Sequence, residues 1–378
     1  MKTGWERKPL GSVCTLQRGL DLPTPQRVKG IFPLVSSSGV IDTHIEGPIK
    51  GPGVITGRSG SVGKVFFVNE DFWPLNTTLY VRDFHGNEPR FVFHLLNHFD
   101  LQRFAGGAGV PTLNRNDVHG EPVFVPSDVQ EQQRIVAILD EAFEAIAAAR
   151  ANAEQNCQNA RALFESYLQS VFSQHGDGWT EKPLGEMATF RNGVNFTKSS
   201  QGEQIKILGV KDFQDYYWAP LNSLDSIIPD GTLPDTDTLQ QNDIVFVRSN
   251  GNPELIGRCL LIGEVQERTT FSGFTIRARR FTEEVLPQYL CHFLKSFHIR
   301  RELVDGGNGA NIRSLNQGAL SKLRINFPVE LSEQERIVER LETMQSETQH
   351  LESLYQHKIA ALDELKQSLL QQAFSGQL

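Results

Sequence analysis

The sequence repeats itself, and this limits the possible folds more than any other feature. Trp5-Glu-Arg-Lys-Pro-Leu-Gly recurs as Trp179-Thr-Glu-Lys-Pro-Leu-Gly, 174 residues later. Each copy continues to a Thr and a Gly, Thr15 and Gly19 against Thr189 and Gly193. Arg58-Ser59-Gly60 answers Arg248-Ser249 with Gly251 beyond, and Gly106-Gly-Ala-Gly109 answers Gly306-Gly-Asn-Gly309. A Leu-Asn pair follows each glycine cluster, Leu113-Asn114 and Leu315-Asn316. Glu131-Gln-Gln-Arg-Ile-Val136 then matches Glu333-Gln-Glu-Arg-Ile-Val338, and the copies close on Leu168-Gln169 with Phe172-Ser173 against Leu370-Gln371 with Phe374-Ser375. Blocks repeated in one order mark a tandem duplication, so the chain must fold as two similar domains. Between Gly19 and Arg58, and between Gly193 and Arg248, little can be matched. One scaffold with two different surfaces is the expectation.

The repeat tails predict two long helices. Ile135, Leu139, Ala142, Ile146, Ala149, Ala153, Ala160, Leu163 and Tyr167 keep steps of three and four, as do Ile337, Leu341, Met344, Thr348, Leu351, Tyr355, Lys358, Leu362, Leu365 and Leu369. This is a coiled-coil stripe, which predicts that Ile135, Leu139, Ile146 and Leu163 pack on Ile337, Leu341, Met344, Leu351, Leu362, Leu365 and Leu369. Ser127-Asp-Val-Gln130 and Ser332-Glu-Gln-Glu335 read as capping boxes, and Gly176 and Gly376 as helix-ending glycines. At ~1.5 Å per residue, ~40 residues make ~60 Å of helix. The expected domains are 1–126, a helix over 127–175, a second domain over 176–328 and a second helix over 329–378. Packed antiparallel, the helices would relate the domains by a near two-fold rotation.

Charge follows the same division. Residues 127–174 hold 3 Lys+Arg against 7 Asp+Glu, and residues 329–378 hold 4 against 9. Residues 1–126 hold 13 against 11 and residues 175–328 hold 17 against 18, so the net −8 sits almost wholly on the helices. The near-neutral domains leave room for a basic face. Their β-rich runs, Val54-Ile-Thr, Lys64–Val68, Thr78–Arg82, Asp243–Val247 and Phe274–Arg277, alternate with turns, while Phe91–Phe99 and Pro287–Arg301 read as helices. The expected class is α+β.

Arg, Lys, Asn and Gln read base edges, and Lys, Arg and small polar groups hold phosphates. Candidates beside the unmatched intervals are Arg18, Arg27, Lys29, Lys50, Arg58, Ser59, Lys64, Arg191, Lys198, Lys206, Arg248, Asn250 and Arg258, with the cluster Arg277, Arg279 and Arg280. Gly57-Arg-Ser-Gly-Ser-Val-Gly-Lys64 is not a phosphate loop, having one residue too many before Gly-Lys and no Ser or Thr after it. A tight turn offering Arg58 and backbone amides to a phosphate and a purely structural hairpin both remain open.

No catalytic pattern emerges. Asn252-Pro253-Glu254 is not a methyltransferase turn. Pro229-Asp230 and Pro234-Asp235 are followed by no Asp/Glu-x-Lys until Glu364-Leu-Lys366, well inside the second predicted helix. His94 and His98 lack the Glu of a zinc hydrolase. Cys14, Cys157, Cys259 and Cys291 form no C-x-x-C pair, so no metal site is expected. With no apolar run for a signal peptide or membrane span, the expectation is cytoplasmic and without membrane contact.

With these blocks in order, the chain resembles the specificity (S) subunit of type I restriction–modification systems. The resemblance rests on the Trp-x-x-Lys-Pro-Leu-Gly openings, the Gly-Gly-x-Gly…Leu-Asn blocks and the Glu-Gln-x-Arg-Ile-Val helix starts, and covers essentially the whole chain, which is somewhat short for the family. It implies two target recognition domains, each reading one half of a bipartite, asymmetric site on double-stranded DNA, with the antiparallel helix pair as ruler. It further implies a non-catalytic chain that docks two methyltransferase (M) subunits and then restriction (R) motor–nuclease subunits. S-adenosylmethionine, ATP and magnesium belong to those partners. A coiled-coil scaffold binding only proteins is the alternative, and salt-dependent DNA binding separates the two.

Overall fold

In a computed structural model, described for residues 4–378 except 108, 174–177, 198, 215–216 and 306–313, the chain divides into two compact units. One comprises Met1–Gln155 with Tyr355–Leu378, the other Asn156–Leu354, so the division falls inside both long helices.

The two largest sheets have the same strand order in each unit. In the first, a four-stranded antiparallel sheet runs Thr15–Arg18, Thr78–Asp83, Gly53–Gly57, Val65–Val68. In the second the order is Ala188–Asn192, Thr275–Arg280, Ile244–Val247, Cys259–Leu261. The unmatched intervals share a topology too. Phe32–Ser36 pairs antiparallel with Gly39–His44 and parallel with Trp73–Pro74. Ile205–Leu208 pairs antiparallel with Asp225–Ile227 and parallel with Thr269–Phe271.

The repeated blocks have physical reasons. Each opening strand pairs with the strand that leads into its own copy's long helix: Trp5 faces Pro126, and Trp179 faces Pro328. Leu113 and Leu315 are buried, while the next residue caps a helix: Asn114 accepts from the Asn116 amide and Asn316 from the Ala319 amide. The first glutamine after Glu131 and Glu333 is a clamp. Buried Gln132 accepts from the Glu88 amide at 2.9 Å and donates to Pro126 O at 3.1 Å and Asn87 Oδ1 at 2.7 Å. Gln334 repeats this with the Leu286 amide, Pro328 O and Glu284 O, each at 2.8 Å.

The long helices are Val129–Ser173 and Leu331–Phe374. Their starts differ from the expected capping boxes. Asp128, not Ser127, accepts from the Gln130 amide, Ser127 donates to Gly4 O, and Ser332 lies inside the helix. Gln377 N bonds Gln372 O around Gly376 at φ +75°, a left-handed helix stop. Gly176 and the Gly306–Gly309 cluster lie outside the described residues. The helix expected over Pro287–Arg301 is two, Pro287–Lys295 and Phe297–Asp305. Ser296, at ψ 141°, breaks the ladder, its hydroxyl donating to Phe293 O.

Within each unit the helix segments run antiparallel. Arg150 pairs with Asp363 and the Lys366 ammonium lies 5.1 Å from the Phe143 ring centre in the first, and Arg161 pairs with Glu352 in the second. Ile135, Leu139, Ile146 and Leu341 are buried, and Ile337, Met344, Leu362 and Leu369 half-buried. Leu163, Leu351 and Leu365 are corrections, being 60%, 41% and 47% exposed. The positions expected at 351 and 358 fall one residue short of the half-buried face, which passes through Glu352 and Ile359; likewise Phe164 replaces Leu163, while Lys366 beside Leu365 is itself exposed. The tails are anchored by aromatics. Phe374 packs on Phe91 and stacks on His98 in the first unit; Phe172 meets Tyr289 and Phe293 edge-on in the second. The end of each copy thus completes the core of the other copy's domain.

Among the described residues no helix is long and apolar enough to cross a membrane, and no His, Cys, Asp or Glu cluster is placed to hold a metal.

Candidate nucleic-acid interface

At one end of each four-stranded sheet, three segments distant in sequence are tied into one loop cluster. The chain leaves the first strand through Gly19 or Gly193, where a Cβ would stand 2.1 Å from Leu75 O or 2.2 Å from Ser272 O, so only glycine passes. The buried hydroxyls of Thr78 and Thr275 donate to those same carbonyls at 2.7 Å, fixing the loop that precedes the last strand. Onto it comes the Arg-Ser turn. The Arg58 and Ser59 amides donate to Thr77 O at 2.8 and 3.1 Å, and those of Arg248 and Ser249 to Phe274 O at 2.8 and 3.3 Å. The turn is locked from behind by Leu113 N on Arg58 O and Leu315 N on Arg248 O, both 2.7 Å. Arg58 Nη1 reaches Asn76 O at 3.2 Å and Arg248 Nη1 reaches Gly273 O at 3.5 Å. Such a cluster offers guanidinium, amide and hydroxyl groups from a backbone that need not reorganise, as recognition of phosphates and base edges requires.

The side chains set on these frames differ. In the first cluster Asp21 pairs with Arg18 at 2.9 Å and accepts from Asn76 Nδ2 at 2.5 Å, while Thr77 Oγ1 accepts from the Ser37 amide. In the second, Asn250 Oδ1 accepts from the Asn252 amide, the Asn195 amide group lies against Gly273, and the Phe274 ring is 60% exposed. Arg191, one strand end away, pairs with Asp237.

The remaining candidates scatter. Half-buried Arg27 donates to Leu22 O, and Lys29 is exposed. Lys50 pairs with Asp71 at 2.6 Å, and this bond, with the Gly51 amide, holds the Asp71 carboxyl below its ordinary range. Lys64 is exposed at the end of the hairpin turn between Gly53–Gly57 and Val65–Val68, closed by Gly57 N on Lys64 O. Lys206 is half-buried with Nζ 3.4 Å from Leu224 O, and Lys198 lies outside the described residues. Arg258 lines a depression of about 500 Å³ with Pro253, Glu254, Phe297, Arg300 and Arg301.

Arg277, Arg279 and Arg280 are corrections, because their charges are used inside the protein. Arg277, 4% exposed, donates to Thr236 O and Thr238 O, and burial lowers its pKa. Arg279 grips the buried Asp243 carboxylate with two bonds, 2.8 and 2.7 Å. Arg280 donates to Thr282 O and Val285 O. His94 likewise serves packing, 2.8 Å from Asp140, which also accepts from Arg90.

The sequence reading missed Asp21, Asn76, Thr77, Asn195 and Phe274. A signal was available: Thr78 and Thr275 both head the last sheet strand, and the residues before them form the loop.

The sequence profile of the type I restriction modification DNA specificity domain matches residues 2–155 and 176–359. The type I restriction enzyme StySPI specificity subunit of Salmonella potsdam is 25% identical over 293 residues, 74% of this chain and 62% of that protein. The EcoKI specificity subunit of Escherichia coli K12 is 27% identical over 140 residues, 37% of this chain and 30% of that protein. The aligned part of the chain thus spans less than two thirds of either relative. Two solved structures share the fold. One, from work on complex assembly and conformational transition of the type I R-M system, superposes with a TM-score of 0.79 at 19% identity, covering 100% of this chain and 99% of the other. The second, an HsdS subunit from Thermoanaerobacter tengcongensis, gives 0.59 at 20% identity, covering 100% and 98%.

Proposed function

Because the chain belongs to the type I restriction modification DNA specificity domain family, we propose that it reads a bipartite, asymmetric DNA site, one half-site per unit. The observation that carries this reading is the pair of loop clusters, built by the same backbone bonds around Arg58 and Arg248 yet carrying different side chains. A common frame positions the protein on the duplex, and the variable groups select the bases. The long helices act as the spacer between half-sites, and their acidic balance keeps them off phosphate and leaves them to dock two methyltransferase subunits. Restriction motor–nuclease subunits join that assembly. S-adenosylmethionine, ATP and magnesium are handled by those partners, and the chain contributes recognition alone.

The test compares the purified chain with the chain joined to its methyltransferase subunit. Alone it neither methylates nor cuts DNA; together they methylate adenine at one bipartite sequence and bind DNA less tightly as salt rises. Turnover by the chain alone, or methylation without sequence preference, contradicts the proposal.

A further inference from the structure

The ring of Phe274 is exposed while the backbone beneath it is held from several sides. Its amide donates to Ser272 Oγ at 3.3 Å, and its carbonyl accepts from both Arg248 and Ser249. Gly273, just before it, donates to Val194 O at 2.8 Å and is so close to Asn195 that a Cβ would lie 2.1 Å from the side-chain oxygen. An aromatic on such a turn has only two torsions to lose on binding, and its apolar surface gains once a partner covers it. Its neighbours are Arg248, on whose amide its carbonyl rests, and the turn containing Asn250; one residue beyond Asn195 stands Phe196, 44% exposed. Arg and Asn are groups that read purine edges. In the first unit the position accepting the same pair of amide bonds is Thr77, with its hydroxyl held by the Ser37 amide.

Resting on the DNA-reading role proposed above, we propose that Phe274 reads the second unit's half-site through an apolar contact with the C5 methyl of a thymine in the major groove. Apolar contact of this kind is an established means of distinguishing thymine, and a methyl group is the feature that a ring can sense. The first cluster, polar at Thr77, has no ring at that position.

The experiment uses the chain with its methyltransferase subunits, after methylation mapping and exchange of one unit's insert have assigned each half-site. Binding is measured on duplexes in which each thymine of the second unit's half-site is replaced singly by 2′-deoxyuridine, which changes the DNA and leaves the protein untouched. One replacement is expected to weaken the unaltered protein about fourfold, the value of one methyl-sized group. Phe274→Ala is expected to bind roughly tenfold more weakly and to be indifferent to that replacement. No sensitivity to uracil in the unaltered protein, or full sensitivity retained by Phe274→Ala, overturns the contact. Arg248→Ala separates the two levels. If it weakens binding while Phe274→Ala does not, the ring contact fails and the reading role stands; if neither variant weakens binding, the reading role itself fails.

Discussion

The two loop clusters are alike in what they hide and unlike in what they show. Gly19 and Gly193, Thr78 and Thr275, and the amides after Arg58 and Arg248 make the same bonds at nearly the same distances. Facing outward, the first cluster presents an Arg18–Asp21–Asn76 network, the second a bare Phe274 beside Arg248. A duplicated domain can therefore change what it contacts without altering how its loops are held. The residues that hold the frame and those that face out should respond to substitution in different ways.

The largest expected effect lies in the frame. Arg279→Ala strands the buried Asp243 carboxylate and should cost about 3–5 kcal/mol of stability in chemical denaturation. Arg248→Ala should change stability by less than about 1 kcal/mol and instead cost about 1–3 kcal/mol of DNA binding. Equal stability losses in the two variants would erase the distinction.

Acid should sharpen the contrast between the units. Burial pushes the His292 imidazole down to about 3, with Lys295 adding to the effect. The unfolded chain takes up this proton as pH falls through about 6.5, the folded chain only near 3, so the stability from a neutral His292 is complete above 6.5 and declines below it. At pH 5 the loss is about 2 kcal/mol, and His292→Leu should remove it. His94, its counterpart position in the first unit's helix, is also lowered by burial, but Asp140 opposes the shift. Hydrogen exchange between pH 7 and 5 should show the second unit loosening first. The reverse order would mean that other groups control acid sensitivity.

The smallest effects belong to exposed leucines. Leu365→Gln and Leu163→Gln should each fall within about 0.5 kcal/mol of the parent, against about 2–5 kcal/mol for Leu341→Ala, when thermal unfolding is followed. A loss above 1 kcal/mol at Leu365 would restore it to the helix seam.

The duplication, the sheet strands and the long helices were legible because each leaves a periodic or repeated trace. The inner face of the second helix was not read correctly, because Leu351 and Leu365 are apolar yet exposed, while the charged Glu352 is half-buried and pairs with Arg161. The shared topology of the inserts was invisible, since Phe32–Ser36 buries Leu34 and Val35 while Ile205–Leu208 buries Ile205, Ile207 and Leu208, two different burial patterns on unrelated residues. In the candidate site, Arg58 and Arg248 stood out through repetition. Arg277 and Arg279 misled because a basic run says nothing about which way each side chain faces, and alternate strand positions here meet Thr238 and Asp243. Thr77 and Phe274 were hidden because the Arg-Ser turns bind their carbonyls, which any residue supplies.

The central claim, that each unit reads one half-site through its own loops, is tested most directly by exchange. Residues 20–105 are replaced by the corresponding segment of another specificity subunit, and the methylated sequence is mapped in cells carrying the methyltransferase partner. The account predicts that one half-site changes to that of the donor and the other stays as it was. An active complex in which both half-sites change, or neither does, would contradict it.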